Sequence, residues 1–341
     1  MNRLFSLVPF LLLLAGPNAK AQDAARTPAD VVAGAVKAAE ALLATLDKPQ
    51  QEKILFPFDD DAQRKRWSNL PSGIVKRAGL RMGDLSDKQK VAVMGLLKAT
   101  LSPRGVEQVV ENMNGDEVLK QRGGGRPQFG KAEYFVSILG KPSATEPWMW
   151  QFGGHHLGIN ATIARDRITL SPSLTGGQPV SYAFEGKSVR QLAREQDKMF
   201  ELIGALSENE LKQVVLGGHH DDMRFGPGRE GAKPKEEGIK ASALGEKPKQ
   251  LLLELIGERI GILNETHAKA EMDAIAKNLD RTWFSWHGPT TKGAAASFRI
   301  QGPTVLIEYA PQHLGGDATQ HTHAMYRDPT NDYGANMLMK K

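Results

Sequence analysis

The chain alternates between stretches whose apolar residues recur every three to four positions and stretches where they recur every two. Thr27-Pro28 has the form of a helix N-cap followed by proline at the first helical position. Val31, Val32, Ala35, Ala38, Ala39, Leu42, Leu43 and Leu46 follow at helical spacing. Ser86 caps a second predicted helix carrying Val91, Met94, Leu97 and Leu101, and Ser102-Pro103 starts a third with Val106, Val109, Val110 and Met113 on one face. A glycine-rich loop spans 122–130. The period then changes to two: Tyr134–Leu139, one extended run from Trp148 to Ile163, and Arg167–Leu170, with Asp166 at a hairpin turn. Helical spacing returns through Val189, Leu192, Met199, Leu202, Ile203 and Leu206, and Ser207 to Glu210 reads as a capping box. Residues 225–244 predict a long exposed loop. A helical hairpin over 251–279 breaks near Gly261 and Asn264. The last extended segments are Ala296–Ile300, a Gly302-Pro303 turn, Val305–Tyr309 and Thr322–Tyr326. No internal repeat is evident. The pattern predicts an α+β fold, helical over 28–120 and 188–280 and β-rich over 134–170 and 296–326. Its antiparallel sheet is expected to be built from two separated hairpin regions packed with helices.

The first 21 residues fit neither period. Arg3 precedes an apolar run from Leu4 to Ala15, and Ala19-Lys20-Ala21 fits the small-x-small rule for cleavage before Gln22. The run is shorter than the roughly 20 residues of a membrane span. Residues 1–21 therefore predict a secretory signal, and 22–341 a single α+β domain, secreted or periplasmic and free of the membrane after cleavage. The chain has no cysteine, which excludes disulfides, cysteine zinc sites, iron–sulfur clusters and thiol catalysis. The net charge of +5 is spread among acids, with two of the positive charges, Arg3 and Lys20, inside the signal. No basic stripe with interleaved aromatics appears, which argues against nucleic acid as a partner.

The candidate chemistry lies in the histidines. His321 and His323 are two apart, so on a strand they share a face, a common half of a metal site. In the extended run from Trp148, His155 falls on the face of Leu157, Ile159, Ala161 and Ile163 and reads as a buried core histidine. His156 falls on the face of Gly158, Asn160 and Thr162, where glycine leaves room for a ligand. Glu308, inside the apolar run TVLIEYA, is costly unless paired or coordinated. His156, His321, His323 and Glu308, with His155 beside them, make an inventory suited to a divalent cation. Arg327, Asp328 and Asn160 are candidates to position substrate or water. The run His219-His220-Asp221-Asp222 reads as solvated residues at a helix end, His267 as a surface helix residue, and His287 and His313 as turn residues.

FGGHHLGIN (152–160), RIQGPTVLIEY (299–309), HTHAMYRDPTNDYG (321–334) and FPFDDDAQRKRWSNLP (56–71) together resemble domain-of-unknown-function family 3500. The resemblance covers nearly the whole of the chain after the signal, implies an exported protein, and directs attention to His155, His156, Glu308, His321, His323 and Arg327. The family carries no established mechanism. The residues themselves predict an extracytoplasmic metalloenzyme of hydrolytic type acting on an unidentified small-molecule or polymer substrate. Zinc is the simplest metal, with copper or iron possible on the same ligands. The alternative is a non-catalytic protein that binds a metal or small ligand. No nucleophile elbow, zincin helix or phosphate loop is present.

Overall fold

The computed structural model describes residues 26–123, 125, 128–218 and 222–339. The predicted signal, its cleavage point, and His219, His220 and Asp221 lie outside the described residues. In chain order the first half contains α1 (Pro28–Leu43), α2 (Lys48–Ile54), β1 (Leu55–Phe56), α3 (Asp61–Arg64), β2 (Leu80–Arg81), α4 (Asp87–Thr100) and α5 (Pro103–Arg122). It continues with β3 (Phe135–Leu139), β4 (Trp148–Gly154), β5 (Leu157–Ala164), β6 (Arg167–Thr169) and β7 (Ser173–Gly177). A separate hairpin, β8 (Ser181–Phe184) and β9 (Lys187–Arg190), links to the second half. There follow α6 (Ala193–Gly204), α7 (Glu208–Val214), β10 (Ile239–Lys240), α8 (Glu246–Ile260), α9 (Glu265–Lys277), β11 (Trp283–His287), β12 (Ser297–Gln301), β13 (Leu306–Pro311), β14 (Thr322–Arg327) and α10 (Ala335–Leu338).

The helices start where the sequence caps them. Thr27 with Asp30, Asp47 with Gln50, Ser86 with Gln89, and Ser207 with Glu210 all form reciprocal capping boxes. The α+β class holds, but the sheet is not two separated hairpin regions. Among the described residues, twelve strands join one mixed, mostly antiparallel sheet in the order β1-β3-β4-β5-β7-β14-β13-β12-β11-β10, with β2 on β3 and β6 on β5. The strand that fuses the halves is β7, antiparallel to both β5 and β14. Its sequence, Ser-Leu-Thr-Gly-Gly, has no apolar alternation, so the pattern does not mark it. Further corrections concern 148–163, 187–192 and 225–244. The first is two strands joined at His155-His156, not one extended run. In the second, Val189 lies on β9 and Leu192 precedes α6 in a left-handed conformation. In the third, β10 interrupts the predicted loop and pairs with β11. His267 is buried, held by Asn264 and the Asp166 carbonyl, and His287 ends β11 with its Nδ1 2.8 Å from the Gly217 carbonyl.

The order of elements reveals an internal duplication that the sequence pattern hides. Helices α1 and α2 lead into β1, parallel to β3; α6 and α7 lead into Val215, bridged in parallel to Trp286 of β11. Strands β2 and β10 each pair antiparallel with the next long strand of their half. Gly79-Leu-Arg and Gly238-Ile-Lys open these segments, each glycine with positive φ, and a Cβ on either would meet the carbonyl oxygen of Val136 or Phe284 at 2.1 Å. The halves meet reciprocally: Ser102 N–H donates to Ile262 O and Asn264 N–H to Thr100 O, around the Leu101–Leu263 bridge. The two halves share this topology.

Alternation sorts the sheet into two faces. Trp150, Phe152, Ile159, Ile163, Ile300, Ile307 and Phe284 point to the helices and form the main core. The opposite face carries Gln151, Asn160, Arg299, Glu308, His323 and Arg327, all buried beneath the loops over 57–79 and 222–238. Polar side chains buried this way must be paired, and most of them hold those loops in place. No helix among the described residues is long and apolar enough to cross a membrane.

Candidate metal centre

The site forms where the turn between β4 and β5 meets the start of β14. His155 and His156 are the two turn residues, because Gly154 pairs with Leu157 across the hairpin. His156 has φ of 58°, a left-handed conformation uncommon for a residue with a β-carbon. His323 lies on β14 opposite Gly176 of β7. A Cβ on Gly176 would sit 2.7 Å from the Thr322 carbonyl oxygen, 3.0 Å from His323 Cδ2 and 3.3 Å from His156 Cβ. Glycine at 176 is therefore what lets the histidines of the two halves approach.

His156, His321 and His323 converge. One ligand nitrogen from each lies within 4.8 Å of the others, and His156 Nε2 is 3.0 Å from His321 Nε2. All three rings are buried, at 4 %, 4 % and 1 % exposure. Two of them are fixed from behind. His321 Nδ1 donates to the Leu314 carbonyl at 2.6 Å, leaving Nε2 as a lone pair. His323 Nδ1 is 2.7 Å from Asp222 Oδ1, and its Nε2, aimed into the cluster, has no hydrogen-bond partner. Burial pushes the His156 imidazole well below its ordinary range, and the neighbouring imidazoles push it further. Burial together with His323 takes His321 down to about 4. These two rings are thus neutral at physiological pH and present the form that binds metals.

The arrangement fits a cation. Nitrogens sharing a metal at about 2.0–2.1 Å stand roughly 3.0–3.4 Å apart, which the 3.0 Å pair meets. A buried, unpartnered imidazole nitrogen is expensive without a partner, and a cation among the three rings would supply one. The contact from Asp222 is the carboxylate–imidazole arrangement that commonly orients metal-ligating histidines. The Asp222 carboxylate is itself held by the Met223 N–H at 2.7 Å and by Gln312 Nε2 at 2.9 Å. Burial pushes its pKa up, but its hydrogen bonds and the nearby imidazoles outweigh this and hold it below the usual range.

The other sequence candidates lie outside the group of three. His155 is adjacent: its ring packs on His156 with centroids 3.6 Å apart, and its Nδ1 meets buried Asp116 at 2.7 Å. Glu308 lies on the same sheet face, but its Oε2 accepts the N–H groups of Arg224 and Phe225 at 2.9 and 2.8 Å. Arg327 bonds the carbonyls of Phe225 and Gly226, each at 2.9 Å, and Asp332 at 2.6 Å. Glu308 and Arg327 thus clamp the segment that carries Asp222, acting on the cluster through the loop. Asn160 links Gln151 and the Pro172 carbonyl inside the sheet layer. Asp328 accepts from Thr330 in a turn at the far end of β14, roughly 16 Å of strand from His323 at about 3.3 Å per residue. Sequence reasoning does not find Asp222 or Asp116. Asp222 ends the His219-His220-Asp221-Asp222 run, whose position at a helix end suggests solvation; Asp116 gives no signal beyond being an acid on the buried face of α5.

A family model described as "Protein of unknown function (DUF3500)" matches residues 29–335, nearly the whole chain, and the protein belongs to that family. Comparison with curated proteins and with solved structures finds no match in either.

Proposed function

We propose that the protein is an extracytoplasmic metalloprotein whose centre, held by His156, His321 and His323, takes one divalent cation, most simply zinc, and serves hydrolysis. The observation that carries this reading is the buried, unpartnered Nε2 of His323 facing two further imidazoles, with the two halves of the fold each contributing to the cluster. A divalent cation bound by three imidazoles supplies Lewis acidity and an acidified water at a remaining position. His321 is held in the ligating tautomer by the Leu314 carbonyl, and His323 by Asp222. His155, anchored to Asp116, packs on the His156 ring and fixes its plane. Glu308 and Arg327 keep the Asp222 segment seated. Neutral imidazole also suits copper and iron, and the same donors serve either. The predicted signal supports export.

A second reading, a non-catalytic metal-binding protein, is favoured by the burial of all three rings, because catalysis needs an open position. Elemental analysis of protein purified without a histidine tag tests both. About one equivalent of metal, lost in His321→Ala, supports the centre. Hydrolysis of model ester or phosphoester substrates, abolished with the metal, separates the catalytic reading from the binding one. No metal in the untagged protein, even after incubation with zinc, refutes both.

A further inference from the structure

The duplication gives the main features of one half a counterpart in the other, and one pair of counterparts differs in a telling way. On the loop-covered face, the corner formed by β3 and the β4–β5 turn is filled. Trp67 packs so closely on Gly158 that a Cβ there would stand 2.8 Å from its ring, and Arg77 bonds the carbonyls of Ser68, Leu70 and Gly154. Only about 20 Å³ remains. The matching corner of the second half, between β11 and the β12–β13 turn, is an open groove of about 360 Å³. Trp283 stands where Phe135 stands in the first half, and Gln301 where Gly153 stands; each pair is matched across its hairpin. Glu236, two residues before Gly238, takes the place of Arg77, two residues before Gly79.

The groove is also charged. Lys233, Lys240 and Arg281 line it together with half-buried Trp283, buried Gln301 and exposed Glu236. The three cations form no ion pair with another described residue, and Lys240 Nζ stands 6.0 Å from the Trp283 ring centroid, beside the indole face. The volume lies in the range of small-ligand sites.

We propose that this groove binds an acidic saccharide, with a sugar ring against Trp283 and its carboxylate among Lys233, Lys240 and Arg281. An indole face offers a large apolar platform for the C–H face of a sugar ring, and guanidinium and ammonium groups match a carboxylate. Gln301, whose Oε1 is held by Arg299 Nε at 2.9 Å, offers its amide N–H to a hydroxyl, and the Glu236 carboxylate accepts from others. A nucleotide brings about two or more phosphate charges into the groove beside Glu236, where a uronate ring brings one, and the groove has no glycine-rich phosphate loop, so a nucleotide fits it less well. The site is separate from the histidine centre and does not depend on it.

Calorimetric titration of the full chain with acidic tetrasaccharides from pectate, alginate and hyaluronan tests this, with maltotetraose and AMP as comparators. At least one acidic oligomer should bind, more weakly as salt rises. Trp283→Ala and the double variant Lys240→Gln/Arg281→Gln should each lower that affinity at least tenfold, with far-ultraviolet circular dichroism unchanged. His321→Ala should leave it unchanged. Binding of none of the acidic oligomers overturns the proposal. So does undiminished affinity in both groove variants, equal affinity for maltotetraose, tighter binding of AMP, or loss of binding in His321→Ala.

Discussion

Asp222→Asn isolates the least expected feature of the centre. The substitution keeps shape but removes the charge that faces His323 Nδ1 at 2.7 Å. An amide oxygen still accepts a hydrogen bond, so the fold of the segment, pinned by Glu308 and Arg327 at Arg224, Phe225 and Gly226, is expected to persist. What is lost is the charge-assisted part of the bond, roughly half its strength, and with it the basicity that the carboxylate confers on Nε2. Loss of such an outer partner commonly weakens a metal site about 10–100-fold, or about 1.4–2.7 kcal/mol. Competition against a chromophoric zinc chelator measures this directly. Asp328→Asn is the matched control, because that carboxylate is engaged by Thr330 at the other end of β14 and should leave zinc affinity unchanged. An affinity for Asp222→Asn within twofold of the wild type, or an equal loss in Asp328→Asn, would refute the assignment of Asp222.

Three further outcomes are expected. Gly176→Ala places a Cβ 2.7 Å from the Thr322 carbonyl and 3.0 Å from His323 Cδ2, so it should destabilise the fold by about 1–3 kcal/mol and lower zinc affinity; urea unfolding and chelator competition read the two effects. His155→Ala leaves buried Asp116 without its 2.7 Å partner, though still bonded to the Gly130 N–H. It should cost about 2–3 kcal/mol in urea unfolding, and an unchanged midpoint would contradict a structural role for the pair. Burial pushes the Glu308 carboxyl up to about 7, against the opposing pull of the Phe225 and Arg224 N–H groups and Arg299. The folded chain then holds this proton more tightly than the unfolded chain, whose carboxyl titrates near 4.5. Stability should therefore fall by up to about 3 kcal/mol as pH rises from about 5 to 8. Glu308→Gln should flatten that part of the pH profile, and an identical profile would place the Glu308 titration elsewhere.

The helices and most strands are legible because each buries one apolar face, and period reports that directly. Strand β7 is not legible: Thr175 faces a polar interior and Gly176 and Gly177 serve close approach, so no apolar alternation marks it. Without β7 the fusion of the two halves is invisible, and with it the reason His156 meets His323. The site is half legible. Spacing of two correctly places His321 and His323 together. Strand alternation favours His156 over His155, yet both are turn residues, and it is the positive φ of His156 together with Gly176 that turns its ring to the cluster. Glu308 stands out because a buried charge needs a partner, and Arg327 because its planar fork suits a carboxylate. Glu308 is met by a backbone N–H 83 residues away, and Arg327 by a carbonyl 102 residues away as well as by Asp332 five residues on; only the last of these is a distance that a local pattern encodes.

One cation is proposed to sit among His156, His321 and His323. Crystals of untagged, zinc-incubated protein, measured on both sides of the zinc absorption edge, test it most directly. One anomalous peak is expected about 2.0–2.1 Å from an imidazole nitrogen of each of the three histidines, absent from His323→Ala crystals. A peak bound elsewhere, or none among these rings, would contradict it.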